Sequence, residues 1–277
     1  LSMSGTISRQ NTLAFILKLI IGLIIVSPIL FGVSFSFMSP AERAEIPPHL
    51  LPQEPVTYTY ERAAGQIPII RFMANSLIVC AAIITGQIIT CGFAAYAFAF
   101  YRFRGNKVIF MIVLSTMMIP ADAIIIANYL TISQFRLYDT YLALAAPYLS
   151  SAMGIFLMRQ FFLTIPRELQ EAAIIDGCRD LPFLFRIVLP ISKPVIASLG
   201  VYIFIQTYNQ FLWPLLVTNS NRMRTVQIGM SILKDAEQVD YGVVLAGAVL
   251  ILIPSVLVFV IGQKYMIRGM TAGAVKG

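Results

Sequence analysis

The chain alternates six long apolar runs with short charged segments, and that alternation limits the fold more than any other feature. The runs cover roughly residues 13–37, 72–100, 108–130, 141–163, 195–217 and 243–265. Each meets the roughly 20 residues an α-helix needs to cross the hydrocarbon of a bilayer. Lipid offers no partner to a backbone N–H or C=O, so only helices and closed barrels span it. Barrel strands alternate apolar and polar residues over about ten positions, and these runs do not. Composition agrees, with 58% of residues hydrophobic and 12% charged, about half the charged share of a soluble domain. The expectation is an all-α, multi-pass protein of the cell membrane with six transmembrane helices in one domain over residues 1–277.

The first run is expected to be a retained span. Its apolar core exceeds the roughly 7–15 residues of a cleavable leader, and no small-residue cleavage site follows it cleanly. Lys and Arg then orient the chain. With the N-terminus inside, 13 of the 20 basic residues fall in inner segments and 7 in outer ones. The excess fits the positive-inside rule, so both termini are expected in the cytoplasm. The net charge of +7 reads as topology and membrane-lipid contact, not as nucleic-acid binding.

Two outer loops are long. Residues 38–69 carry Pro40, Pro47, Pro48, Pro52, Pro55 and Pro68, and residues 218–242 have room for a short helix. Neither is large enough for a soluble domain. His49, the only histidine, sits in the first of them and reads as a solvated loop residue. Cys80, Cys91 and Cys178 form neither a disulfide framework nor a metal spacing. No cofactor is implied.

The longest inner segment, about 164–194, contains EAAIIDGCRDLPFLFRIVLP from Glu171 to Pro190. Locally it reads as two short helices joined by a turn. Thr164 offers an N-cap oxygen, and Pro166 suits a first helical turn. Leu169, Ala172, Ala173 and Asp176 fall at helical spacing, and Gly177 can take the left-handed conformation that ends a helix. Asp180 can cap a second helix, with Pro182 in its first turn. The small Ala172–Ala173 face beside the fixed charge of Glu171 suits a docking helix. It equally suits an amphipathic helix lying on the membrane surface.

The spacing of these residues carries a resemblance. Glu171-Ala172-Ala173, three residues, Gly177, nine residues, Ile187, one residue and Leu189-Pro190 resembles, without a departure, the signature loop of ATP-binding-cassette importer permeases. The number of spans, the loop between spans four and five, and the TAGAVKG tail are also similar to that family. The nearest likeness is to its carbohydrate-uptake group, which includes maltose and glycerol-3-phosphate importers. The resemblance implies a type I importer permease fold. It implies that Glu171, Ala172, Ala173, Asp176 and Gly177 form a coupling helix docked on an ATPase dimer. It further implies that the tail from Arg268 reaches toward that dimer, that residues 218–242 face an extracytoplasmic substrate-binding protein, and that a homologous second permease completes the pore. The chain has no G-x-x-x-x-G-K-[ST] phosphate loop, so it is not expected to be an enzyme and a separate subunit must hydrolyse ATP.

Polar residues inside spans are costly and point to function. In the fifth run Gln206, Asn209, Gln210 and Trp213 lie at i, i+3, i+4 and i+7, so one face is expected to be polar and aromatic. Such a face could line a substrate path, since amides and an aromatic ring suit hydroxyl-rich ligands. It could equally be interhelical glue with an interfacial Trp. Asp122, after Pro120 in the third run, could line the path, meet the partner permease or bind a backbone group that Pro120 frees. Asn75 and Gln87 in the second run could be glue or lining. Arg159-Gln160-Phe161-Phe162, the stretch 209–216 and Pro120-Ala121-Asp122 resemble the glycerol-3-phosphate branch, which implies that ester or a glycerophosphodiester as substrate. Charge alone favours a neutral sugar or a zwitterion, because the spans hold few cations and Asp122 repels a phosphate. A secondary transporter using Asp122 is opposed by the lack of an inverted repeat. A membrane enzyme is opposed by the lack of H-E-x-x-H, Ser/His/Asp or paired-carboxylate sets.

Overall fold

The computed structural model describes residues 9–234 and 240–271, and all regular structure among them is helical. The chain groups into two compact units, Leu1–Ile67 with Ile232–Leu250, and Pro68–Ser231 with Ile251–Gly277.

The first unit holds α1 (Arg9–Ser36), α2 (Pro40–Ala44) and α3 (Tyr58–Gln66). The most apolar window of α1 is wholly unburied within the chain, as expected of a helix that is hydrophobic all round and meets lipid or another subunit. Beyond it, residues 38–69 are a built structure. Ser39 and Glu42 form a capping box, with Pro40 in the first turn of α2. The Glu42 carboxylate accepts from the Ser39 amide at 2.7 Å and from the Gln53 and Glu54 amides at 2.6 and 3.2 Å. These backbone donors, Ser39 first, hold its carboxyl down to about 2 from an ordinary 4.5. Arg43 donates to the Met38 carbonyl, to the Tyr58 hydroxyl and, at 2.8 Å, to Asp240. Asp240 in turn accepts from the Gly242 amide at 2.9 Å.

The second unit holds α4 (Ile69–Phe100), α5 (Asn106–Ser115), α6 (Ile125–Gln134), α7 (Tyr141–Ala145), α8 (Ala152–Phe162), α9 (Arg167–Ile175), α10 (Asp180–Phe183), α11 (Leu189–Ile191), α12 (Lys193–Tyr208) and α13 (Leu212–Val217). Two further helices, α14 (Val226–Lys234) and α15 (Tyr241–Thr271), each contribute residues to both units. α4 is the centre of the second unit and packs on α8 and α12. Its polar residues act as glue. Asn75 donates to the Arg222 and Arg224 carbonyls and accepts from the Tyr141 hydroxyl. Gln87 donates to the Tyr148 carbonyl and accepts from Ser151. This resolves the choice between glue and lining for Asn75 and Gln87.

Three helices are long and apolar enough to cross a membrane alone: Ala14–Ser36, Ile69–Phe100 and Tyr241–Tyr265. Three helix pairs reach that length and apolarity only together, each bent at a break. Asn106–Met118 meets Asp122–Gln134 at 89°, Tyr141–Tyr148 meets Ala152–Phe162 at 53°, and Asp180–Ile191 meets Lys193–Tyr208 at 76°. Counting each bent pair once gives the expected six. Each break has a local cause: Pro120 at the first, Pro147 followed by the Ser151 N-cap at the second, and Pro190 with Pro194 around the third.

The fifth run departs from its expected bounds of 195–217. Its helix runs from Lys193 and stops at Tyr208. Pro214 explains the stop, because its ring would clash with the carbonyl of Gln210 and it has no N–H to donate. Asn209 closes the end by donating to the Ile205 carbonyl at 2.8 Å.

Candidate functional site

The segment around Glu171 is the first region of interest. Thr164 does not cap α9. Its hydroxyl donates back to the Phe161 carbonyl at 2.7 Å, and Pro166 takes the N-cap position. The far end follows the sequence closely. Gly177 sits at φ +73°, its amide donates to the Ile174 carbonyl, and the Cys178 amide donates to the Ala173 carbonyl at 2.8 Å. That pair of bonds is a Schellman motif, which needs a left-handed residue at this position.

The two alanines face opposite ways. Ala173 is 6% exposed and packs into the core, whereas Ala172 is exposed with Glu171, Asp176 and Gly177. Ile174 and Ile175 flank them, Ile175 being 85% exposed. The outward surface is therefore a carboxylate beside small and branched apolar side chains, suited to a complementary cleft. Asp180 is the first residue of α10 and not its cap. Its carboxylate lies beside Tyr101 at the end of α4, and that acceptor raises the Tyr101 hydroxyl above its ordinary range. Phe183 is buried, with its ring 5.6 Å edge-on from Phe100. After it comes a π-turn, Leu184–Val188, and the Ser192 hydroxyl returns to the Val188 carbonyl at 2.7 Å.

The second region is the break between α12 and α13. Gln206, Asn209, Gln210 and Trp213 do not share one helical face, because the helix ends at Tyr208. Trp213 is buried, donates to the Ala143 carbonyl at 3.1 Å and stands edge-on to Tyr148 at 6.2 Å. Gln206 and Asn209 are exposed, and Asn209 accepts from Gln227 at 3.2 Å. Gln210 and Asp122 both lie near the Tyr148 hydroxyl. Asp122 is exposed in a tight turn, Ala121–Ile124, at the break of the third span, not within a straight helix. The structure thus gathers Gln210, Tyr148 and Asp122 and leaves Trp213 in the packing beneath. The sequence reading missed Tyr148 and Gln227. Neither stands on a polar face of the fifth run, and only the breaks bring them near it.

Among the described residues no cluster of His, Cys, Asp or Glu is suited to hold a metal. Of the tail from Arg268, residues 272–277 lie outside the described residues, as do 235–239 of the outer loop 218–242. The short helix expected in that loop is α14.

A family model described as the inner membrane component of binding-protein-dependent transport systems matches residues 66–272. The chain belongs to this family. It is similar to the sn-glycerol-3-phosphate transport system permease protein UgpE of Rhizobium meliloti, 38% identical over 92% of this chain and 94% of that one. It is also similar to the arabinooligosaccharides transport system permease protein AraQ of Halalkalibacterium halodurans, 34% identical over 74% of each chain. A solved bacterial ABC transporter involved in the import of the acidic polysaccharide alginate has a chain of the same fold. It matches with TM-score 0.82 at 24% identity, over 96% of this chain and 99% of that one. The protein is therefore a multi-pass inner-membrane permease subunit of an ATP-driven importer of the carbohydrate-uptake type. Subunits of this family operate with a partner permease, an ATPase and a substrate-binding protein.

Proposed function

We propose that this permease imports glycerol-3-phosphate or a glycerophosphodiester, and that α9 receives the work of ATP hydrolysis. One observation carries the substrate: the likeness to UgpE extends over 92% of this chain. The path residues are Gln206, Asn209 and Gln210, with the Tyr148 hydroxyl and Asp122 beside them. Amides and a hydroxyl suit the glycerol part of such an ester. They do not neutralise its phosphate, so the partner permease or the binding protein supplies that charge. A neutral oligosaccharide is the second reading, favoured by the AraQ likeness and by the Asp122 carboxylate.

In this reading both termini and residues 164–194 are cytoplasmic, and residues 38–69 and 218–242 face the binding protein. Glu171, Ala172, Asp176 and Gly177 dock in the ATPase cleft, with Ala173 fixing the helix to its own core. Closure of the ATPase dimer pushes α9, and the pore switches between two access states. Ligand titration of the cognate binding protein, followed by uptake into proteoliposomes holding the whole transporter, tests the substrate. Glycerophosphate esters are expected to bind and be taken up. Tight binding of an oligosaccharide with none of the ester overturns the first reading in favour of the second.

A further inference from the structure

The inner ends of α4, α5 and α8 enclose a groove of about 720 Å³ that the transport reading does not use. Five cations line it: Arg102, Arg104, Lys107, Arg159 and Arg167. No acidic residue lines it, and among the described residues none of the five makes an ion pair. Uncompensated like charges lining one groove repel one another unless an anion joins them. Arg159 is held in place, its Nε donating to the Phe98 carbonyl at 3.3 Å and its guanidinium lying 4.1 Å over the Phe110 ring. Arg102, Arg104 and Lys107 are exposed at the rim.

The rest of the wall is largely apolar, with Phe98, Ala99, Phe103, Val108 and Leu163 beside Tyr101 and Asn106. Its apolar part offers a free phosphate nothing, but it suits the first carbons of an acyl chain. The groove also lies at the C-terminal end of α4, an apolar helix of 32 residues, and a helix of that length spans the hydrocarbon and ends among headgroups. Basic pockets between spans at that depth recognise anionic headgroups. We propose that this groove binds an anionic phospholipid, its phosphate among the Arg102–Lys107 cations and Arg159, and its glycerol and upper acyl carbons against Phe98 and Leu163.

The test uses the assembled transporter, extracted from membranes of phosphatidylglycerol and phosphatidylethanolamine, with retained lipid counted by native mass spectrometry. The variant Arg104→Gln/Lys107→Gln removes two rim cations without touching the packed Arg159. A cation near an anionic headgroup is worth about fivefold, so phosphatidylglycerol retention should fall about 25-fold. Arg71→Gln/Lys234→Gln, which removes two exposed cations elsewhere, should retain the wild-type amount. Equal retention in both variants overturns the proposal. So does loss of the ATPase from the rim variant with lipid unchanged, which would make the groove a protein contact. Displacement of the lipid by millimolar glycerol phosphate would make it a soluble-anion site and would also overturn it.

Discussion

Asn75 joins three chain segments, and replacing it tests whether the polar residues of α4 are glue. It is 3% exposed. Its Nδ2 donates to the Arg222 and Arg224 carbonyls, both at 2.9 Å, and its Oδ1 accepts from the Tyr141 hydroxyl at 2.7 Å. Asn75→Leu keeps the branching at Cγ, with a somewhat larger side chain, and removes all three bonds. A buried group left without a partner costs about 1–3 kcal/mol. Cycles in membrane proteins give less for a side-chain bond, averaging about 0.6 kcal/mol with a maximum near 1.7. Arg222 is exposed and Arg224 half-buried, so water reaches their carbonyls and the lower figures apply. The expected loss is about 2 kcal/mol for Asn75→Leu and about 0.6 kcal/mol for Tyr141→Phe. The double variant should lose no more than Asn75→Leu alone. Reversible unfolding by SDS in mixed micelles measures these differences, and limited proteolysis after Arg222 or Arg224 reports the freed loop. Additive single effects, or an Asn75→Leu loss below about 0.3 kcal/mol, would refute the reasoning.

Other outcomes follow from the same geometry. Gly177→Ala meets no atom within 4 Å but must hold φ +73°, which costs about 1–2 kcal/mol. ATP hydrolysis stimulated by the binding protein should therefore fall, and Gly177→Asn should restore part of it, because Asn tolerates that backbone. Glu171→Ala should insert and assemble normally while substrate-stimulated ATP hydrolysis drops about tenfold or more. Failure to insert would give Glu171 a folding role instead. Glu42 has a folded pKa below its unfolded value, so its contribution is whole above about pH 4.5 and disappears as pH falls toward about 2. Hydrogen exchange of the Gln53 and Glu54 amides should rise across that window relative to neighbouring loop amides. Glu42→Gln should raise it at neutral pH and flatten the pH dependence. Gly242→Ala builds a methyl into the guanidinium of Arg43. It should break the Arg43–Asp240 pair, visible as faster proteolysis of residues 38–69.

The six crossings were legible because lipid enforces a length on every helix that spans it, and apolar runs of that length have few other uses. The Schellman end of α9 was legible as well, since Gly177 is a local signal. The broken crossings were harder to read. Pro120 and Pro214 were visible, yet a proline in a membrane helix is compatible with a mild kink, and only packing decides between a kink and a break. Reading 195–217 as one helix put Trp213 on the face of Gln206, and the break at Tyr208 removed it. The Ser39–Glu42 capping box shows the opposite failing. Ser-Pro-Ala-Glu is a complete local signal, and it was passed over in a loop read for its prolines alone.

The anchoring of α9 decides what a push upon it would reach. Behind the exposed face, Ala173 is in the core, Phe183 packs on Phe100, Phe185 stands edge-on to Phe93 at 5.8 Å, and Asp180 lies beside Tyr101. The three contacts other than Ala173 end on the last two turns of α4 or the residue that closes it. A force on Ile175 is therefore delivered to the end of α4, and packed side chains transmit it with little give. α4 packs along α8 and α12, so the three move together unless something yields. What can yield are the places where the backbone ladder is already interrupted: Pro120, the stretch before Ser151, and Ser192. Two of these interrupt the crossings that carry α8 and α12, and the first carries Asp122. Stiffening Ser192 should thus uncouple hydrolysis from transport without weakening the dock. Stiffening the middle of α4 should leave both unchanged, since nothing there is asked to bend.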